Sequence, residues 1–171
     1  MPNWCENDLR ITDKPEELQR FLEFAKGIAH GEETALDFNK FIPYPEEYRN
    51  LDEVAKEWRK QHPEAPWTDR PRDGYNQGGY KWCNENWGTK WTAVATIEED
   101  YDLEDGELVM HFDTAWSPPL PVIKKASELF PALEFDLCYF EGSMGFNGVY
   151  RCQGGQVEED RVGDYFGGRG G

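Results

Sequence analysis

Glu85-Asn86-Trp87-Gly88-Thr89-Lys90-Trp91 is the stretch on which the fold turns. The residues before it, Tyr75 to Trp87, read as a short helix, and those after it, Thr89 to Ile97, as a long strand. Gly88 suits the junction, because a helix C-terminus enters left-handed backbone at little steric cost where there is no Cβ. Two tryptophans four positions apart, with Lys90 between them, concentrate more ring surface here than anywhere else in the chain. That placement predicts a sheet with one face covered and the other open.

Working outward, the neighbouring segments carry the same two periods. Asn7, Leu9 and Ile11 alternate with Asp8 and Arg10, as in a strand with one buried face. Asp13, then Lys14-Pro15-Glu16-Glu17, starts a helix whose Leu18, Phe21, Leu22 and Ala25 share one side. A strand is expected over 35–42. Asp105-Gly106 reads as a two-residue hairpin turn that sets Leu103 against Leu108, Tyr101 against Met110 and Ile97 against Thr114. Ser117-Pro118 reads as a helix start, followed by the apolar set Val122, Ile123, Ala126, Leu129 and Phe130. Leu133, Phe135, Leu137 and Tyr139 alternate again, and 141–145 turn the chain into a last strand over 146–152.

The resulting order predicts an α+β, ferredoxin-like domain: a mainly antiparallel sheet with helices on one face. The expected boundaries are one domain over 1–153, a helical insertion at about 46–88, and a flexible glycine-rich acidic tail over 154–171. In the insertion, Leu51, Val54, Ala55 and Trp58 suggest an amphipathic helix. The proline-rich loop after it draws attention to Trp67, Arg70 and Arg72, because long loops in compact domains are often functional or mobile.

Several stretches together resemble a known family: Pro2-Asn3-Trp4-Cys5-Glu6-Asn7, the central 85–91 motif, Thr114-Ala115-Trp116-Ser117-Pro118-Pro119, Phe130-Pro131, and Tyr139-Phe140-Glu141-Gly142 to Phe146-Asn147-Gly148. They resemble the YubB-like ferredoxin-like domains of phages, prophages and conjugative plasmids, over roughly residues 2–153. The resemblance implies a fold and a habitat in mobile genetic elements. It brings no activity and no catalytic residues.

Charge narrows the function classes. The 171 residues carry a formal net charge of −16, a field that repels polyanions and anionic membranes. No direct non-specific nucleic-acid binding and no membrane contact are expected, and no apolar run approaches the about 18 residues of a spanning helix. The opening residues lack a signal core, so the bacterial cytoplasm is the expected location. Cys5, Cys83, Cys138 and Cys152 are scattered and expected reduced, although Cys138 and Cys152 lie equidistant from Gly145 and could meet across the last hairpin.

No catalytic motif is present, and neither a cofactor nor a metal is expected. Asp100-x-Asp102-x-Glu104 starts like a calcium loop, but Asp105 stands where that loop needs glycine and His111 where it needs glutamate. His30, His62 and His111 fall in no ligand spacing; the hairpin register sets His111 against Asp100. An enzymatic reading would need Glu141 or Glu85 beside a histidine or cysteine.

Two binding readings remain. In the first, the chain is a non-enzymatic acidic protein that occupies a host nucleic-acid-handling or defence factor with a basic surface. Its contact surface would be Glu98, Glu99, Asp100, Asp102, Glu104, Asp105 and Glu107. In the second, a tryptophan-lined pocket holds a small nucleotide-like ligand, with Trp67, Trp87, Lys90, Trp91, Trp116 and Arg151 as its candidates. Against the second stands the use of those rings as core.

Overall fold

A computed structural model describes residues 3–98 and 101–164 of the chain. Six strands form one antiparallel sheet in the order β4-β5-β1-β6-β7-β8. They are β1 (Trp4–Thr12), β4 (Thr96–Ile97), β5 (Glu107–Ala115), β6 (Glu134–Glu141), β7 (Phe146–Gln153) and β8 (Gln156–Asp164). Strands β2 (Gly27–Ala29) and β3 (Glu32–Thr34) make a separate small hairpin. The first four strands of the large sheet, with α1 (Pro15–Ala25) and α5 (Leu120–Leu129), reproduce the expected split βαβ arrangement, and β7 and β8 extend it by two strands.

The period-two pattern sorts the sheet as expected. Leu9, Ile11, Leu108, Met110, Phe135, Leu137 and Cys152 point into the core, and α1 and α5 cover them with Leu18, Phe21, Leu22, Val122, Ile123 and Ala126. Phe21 sits edge-on to both Phe130 and Phe135, at centroid distances of 5.2 and 5.5 Å. Buried Asn7 joins β1 to β5 through bonds from its amide to the Phe112 carbonyl and the Thr114 hydroxyl. Leu129, expected on the inner side of α5, is exposed instead.

Five expectations are corrected, each for a local reason. Residues 35–42 form no strand: the Asp37 carboxylate accepts from the Asn39 backbone N–H at 3.0 Å and starts the short helix α2 (Phe38–Phe41). The long strand after Thr89 shrinks to Thr96–Ile97, because the backbone of 92–95 bonds elsewhere. Thr34 Oγ1 accepts from the Ala95 N–H and donates to the Ala93 carbonyl, while a His30 ring nitrogen lies 2.8 Å from the Thr92 carbonyl. Asp105-Gly106 makes no two-residue turn. Asp102 caps a 3₁₀ turn at Leu103–Asp105, Gly106 takes φ +75°, and Ile97 pairs with Met110 rather than with Thr114.

The helix after Trp116 starts at Leu120, because the Ser117 hydroxyl donates to the Gly88 carbonyl at 2.6 Å instead of capping. Finally, 156–164, expected within a flexible tail, form β8, paired along β7, and the rest of that expectation, 165–171, lies outside the described residues. The last hairpin pairs Cys138 with Val149 and Cys152 with Phe135, so the two thiols lie on opposite faces and cannot bridge. All four cysteines are free, and only Cys138 is exposed.

Candidate functional site

The insertion builds the site. Helix α3 (Glu46–Gln61) buries only Ala55; Leu51 and Val54, expected inward, face solvent. Two 3₁₀ turns follow, at Trp67–Asp69 and Tyr75–Gln77, and then α4 (Gly79–Asn86). Gly88, at φ +79°, ends α4 as the sequence predicted.

The glycines at 74 and 79 let this layer close. A Cβ at Gly74 would stand 2.0 Å from the Tyr48 carbonyl oxygen, and one at Gly79 would stand 1.9 Å from the Tyr44 hydroxyl. Tyr44, Trp82 and Trp87 therefore pack as a ring cluster, with centroids 5.3–5.9 Å apart. Trp87 is 4% exposed, and its indole N–H donates to the Ile42 carbonyl at 2.8 Å.

Over this cluster opens a cavity of about 430 Å³, lined among others by Tyr44, Tyr75, Trp87, Trp91, Asp37 and Asp52. Its size lies in the usual range for small-group binding. Asn39, Arg49, Cys83 and Thr92 complete the polar part of the wall. Two buried oxygens at this wall, the Tyr44 hydroxyl and Thr92 Oγ1, make no well-formed hydrogen bond. Among the described residues Thr92 Oγ1 has no partner and the Tyr44 hydroxyl meets only the Asp52 carboxylate. Buried polar atoms normally bond well, so this wall is a place where another group can bond.

The local field is negative. Two carboxylates face one guanidinium, and Arg49 is tethered to Asn39 Oδ1 and the Tyr44 carbonyl, each at 3.3 Å. Burial and the nearby Asp52 carboxylate hold the Tyr44 phenol well above its ordinary value. Burial likewise pushes Tyr75 up to about 12, with Cys83, Tyr80 and Asp73 adding to it. Cys83, raised by burial and then by Asp52, reaches about 12 as well. Each of these groups stays neutral at physiological pH, and none is poised as a nucleophile.

The sequence candidates for the pocket do not come together. Trp87 and Trp91 line the cavity. Trp91 is shared with a second cavity of about 430 Å³ that also borders Trp4, His30, His111 and Asp113. Lys90 and Trp116 stand beside it as a cation–π pair, the ammonium 3.3 Å from the ring centroid, with Trp116 held at φ +74°. Trp67 lies in the insertion loop, in a separate cavity. Arg151 is on the open sheet face, bonded to Asp136 at 2.9 Å and Glu159 at 3.0 Å. Sequence reasoning missed Tyr44, Asp52 and Tyr75; the three glycines at 74, 78 and 79 were the available signal of close ring approach.

The acidic candidates fare differently. Glu107 pairs with Arg10 at 3.3 Å, and Glu98 lies 3.4 Å from His111 Nε2. Asp102 caps its turn, Glu104 and Asp105 are exposed, and Glu99 and Asp100 lie outside the described residues. His111 pairs with Asp8, at 2.6 Å, because β5 runs beside β1 in a register that sets 8 against 111; its expected partner Asp100 is outside the described residues. No group of three or more metal-ligating side chains occurs among the described residues. Among those residues no helix is long and apolar enough to cross a membrane.

The family model described as a ferredoxin-like domain in Api92-like protein matches residues 81–166, half of the chain. The chain belongs to this Api92-like family. The match begins inside α4 and runs through β8, so the extension by β7 and β8 falls within it. The crystal structure of protein api92 from Yersinia pseudotuberculosis is similar over 98% of this chain and 99% of that one, with a TM-score of 0.55 and 13% identity. At that identity the likeness is one of fold. No curated protein matches the chain. The ferredoxin-like part of the sequence resemblance thus holds.

Proposed function

We propose that the protein is a non-enzymatic binding protein whose aromatic pocket anchors a cationic side chain of a basic protein partner. The observation that carries this reading is the joining of four rings, Tyr44, Tyr75, Trp87 and Trp91, with the carboxylates of Asp37 and Asp52 in one cavity. Aromatic rings and carboxylates together favour a cation, through the ring quadrupole and direct charge. The −16 exterior adds steering toward a basic surface. The mobile-element habitat implied by the sequence resemblance makes the partner a host nucleic-acid-handling or defence factor, rich in exposed arginine and lysine, in the bacterial cytoplasm.

Binding rather than catalysis is supported by where the acid candidates stand. The buried carboxylate of Glu141 accepts from the Ser143 and Met144 backbone N–H groups and so fixes a turn. Glu85 is exposed and pairs with Lys81. Cys5, close to Glu141, is driven by burial to about 12, against the lowering by its bonds with the Phe140 backbone and Thr114.

A second reading keeps the same pocket and gives it a free small ligand. Thr92 Oγ1, without a partner among the described residues, and the Tyr44 hydroxyl, which meets only Asp52 and outside good geometry, favour it, since they offer hydrogen bonds to a compact molecule. A nucleotide is disfavoured in this cavity, because its phosphate would meet Asp37 and Asp52.

Tryptophan fluorescence titration separates these outcomes. The probes are a short peptide with one central arginine, the same peptide with citrulline, and tetramethylammonium. The proposal expects quenching by the arginine peptide, a loss of about tenfold or more with citrulline, and a similar loss in Asp52→Asn. Equal binding of the citrulline peptide overturns it. Binding of tetramethylammonium without binding of either peptide assigns the pocket to a free ligand.

A further inference from the structure

The insertion carries a second cavity of opposite character, about 670 Å³ in volume, which the pocket above does not use. Arg59 from α3 and Arg70 and Arg72 from the loop line it, with Trp67, Thr68, Pro71, Asp73 and Asn76. Three guanidinium groups thus face one carboxylate on a chain whose net charge is −16. Only Arg59 is neutralised, by Asp73 at 3.1 Å. Arg70 and Arg72 stand in no ion pair among the described residues.

Beside them Trp67 is 80% exposed. A ring of that size leaves a large apolar area in water, and none of the described residues covers it. Thr68 donates its hydroxyl to the neighbouring Asp69 carboxylate at 3.1 Å, and Asp69 is not among the residues that line the cavity.

The loop is held in shape. Asp73 Oδ1 accepts from the Asn76 backbone N–H at 2.9 Å and from the Asn76 amide at 2.7 Å, and Gln77 donates to the Arg72 carbonyl at 2.7 Å. The Asp69 and Arg70 N–H groups bond back to Pro66 and Trp67. Gly74 presses against the Tyr48 carbonyl, which anchors the far end on α3. Such preorganisation lowers the ordering cost of a ligand.

We propose that this cavity binds a nucleoside phosphate, the base stacking on Trp67 and the phosphates taking Arg70 and Arg72. Guanidinium forks match phosphate oxygens in geometry and charge. A flat heterocycle is the complement of an exposed indole. The surrounding acidity selects for a compact anion: charges beyond about 8–10 Å are screened for a mononucleotide but accumulate along a strand.

Calorimetric titration of the full chain tests this with ATP, GTP, CTP and UTP, inorganic pyrophosphate and a short oligothymidylate. At least one triphosphate binds at micromolar concentration, and binding weakens as salt rises. The double variant Arg70→Ala/Arg72→Ala weakens it by about tenfold or more, and Trp67→Ala by about tenfold. These side chains are exposed, so the fold survives their removal. Tyr44→Phe leaves this binding unchanged, which separates it from the cation pocket. The proposal falls if no triphosphate binds or if the arginine variant binds as well as wild type. Pyrophosphate matching the triphosphate removes the base from the account and overturns it. Tighter binding of the oligothymidylate overturns it in favour of a single-strand surface.

Discussion

Replacing Gly79 by alanine adds one methyl group at the place where the fold and the pocket meet. The new Cβ would lie 1.9 Å from the Tyr44 hydroxyl, 2.9 Å from its Cζ and 3.1 Å from the Gly74 carbonyl oxygen. Gly79 is the first residue of α4, where an alanine backbone is relaxed, so the cost is one of space alone. Helix propensity favours alanine by up to about 1 kcal/mol in a helix interior, and by less at a first turn. Overpacking opposes it by about 1–3 kcal/mol, because the Tyr44 ring must leave its contacts with Trp82 and Trp87. The net expectation is a loss of about 1–2 kcal/mol, or about 2–4 °C in melting temperature for each kcal/mol in a domain of this size.

Tyr44→Phe removes the nearest atom and leaves Cζ crowded, so it should rescue Gly79→Ala in part, with a coupling of about 1 kcal/mol. Alone, Tyr44→Phe should be close to neutral, since the buried hydroxyl it deletes meets only the Asp52 carboxylate, outside good hydrogen-bond geometry. Urea denaturation of the four proteins gives the cycle directly. Gly79→Ala as stable as wild type, or strictly additive with Tyr44→Phe, would refute the close approach of ring and helix.

Other predictions are simpler. The Asp8 carboxylate, and less so Glu98, raises the His111 pKa above 6.5. The charged His111 therefore stabilises the fold fully below that value, and its contribution fades as pH rises through the higher folded-state pKa. Denaturation midpoints of wild type and His111→Gln should differ at acid pH and converge at alkaline pH; a constant difference would contradict the pairing. For the thiols, a colourimetric reagent should find one reactive group, Cys138, in the native protein and four after unfolding. Two thiols in the denatured protein would mean a disulfide. Glu141→Ala should cost about 1–3 kcal/mol, because it orphans two N–H groups of the 142–145 turn; a chemical denaturation curve matching wild type would deny the carboxylate that role.

The sheet and its two covering helices were legible because each carries a clean period: Leu9 and Ile11 at two residues, Leu18, Phe21, Leu22 and Ala25 along a helix. Strand β8 was not, since Val157-Glu158-Glu159-Asp160 sits at a sheet edge and pairs through its backbone while its side chains stay wet. The 92–95 segment looked like a strand by composition, but Thr34 supplies the partner that a neighbouring strand would have given. Trp87 announced itself in the sequence. Its companions Tyr44 and Tyr75 did not: Tyr44 reaches the cavity through a close approach at Gly79, and Tyr75 through a 3₁₀ turn whose Tyr75 N–H donates to Asp52, neither of which a periodicity encodes. The exposed face of α3, with Val54 60% exposed, shows the converse: an amphipathic pattern with no core beneath most of it.

The most direct test of the cation-anchoring account follows indole and amide resonances of labelled protein during titration with the arginine peptide. The account predicts shifts at the Trp87 and Trp91 indoles and at the Asp52 and Tyr75 amides, with the Trp67 indole unmoved. Shifts confined to the Trp67 loop or to the open sheet face around Arg151, with Trp87 silent, would contradict it.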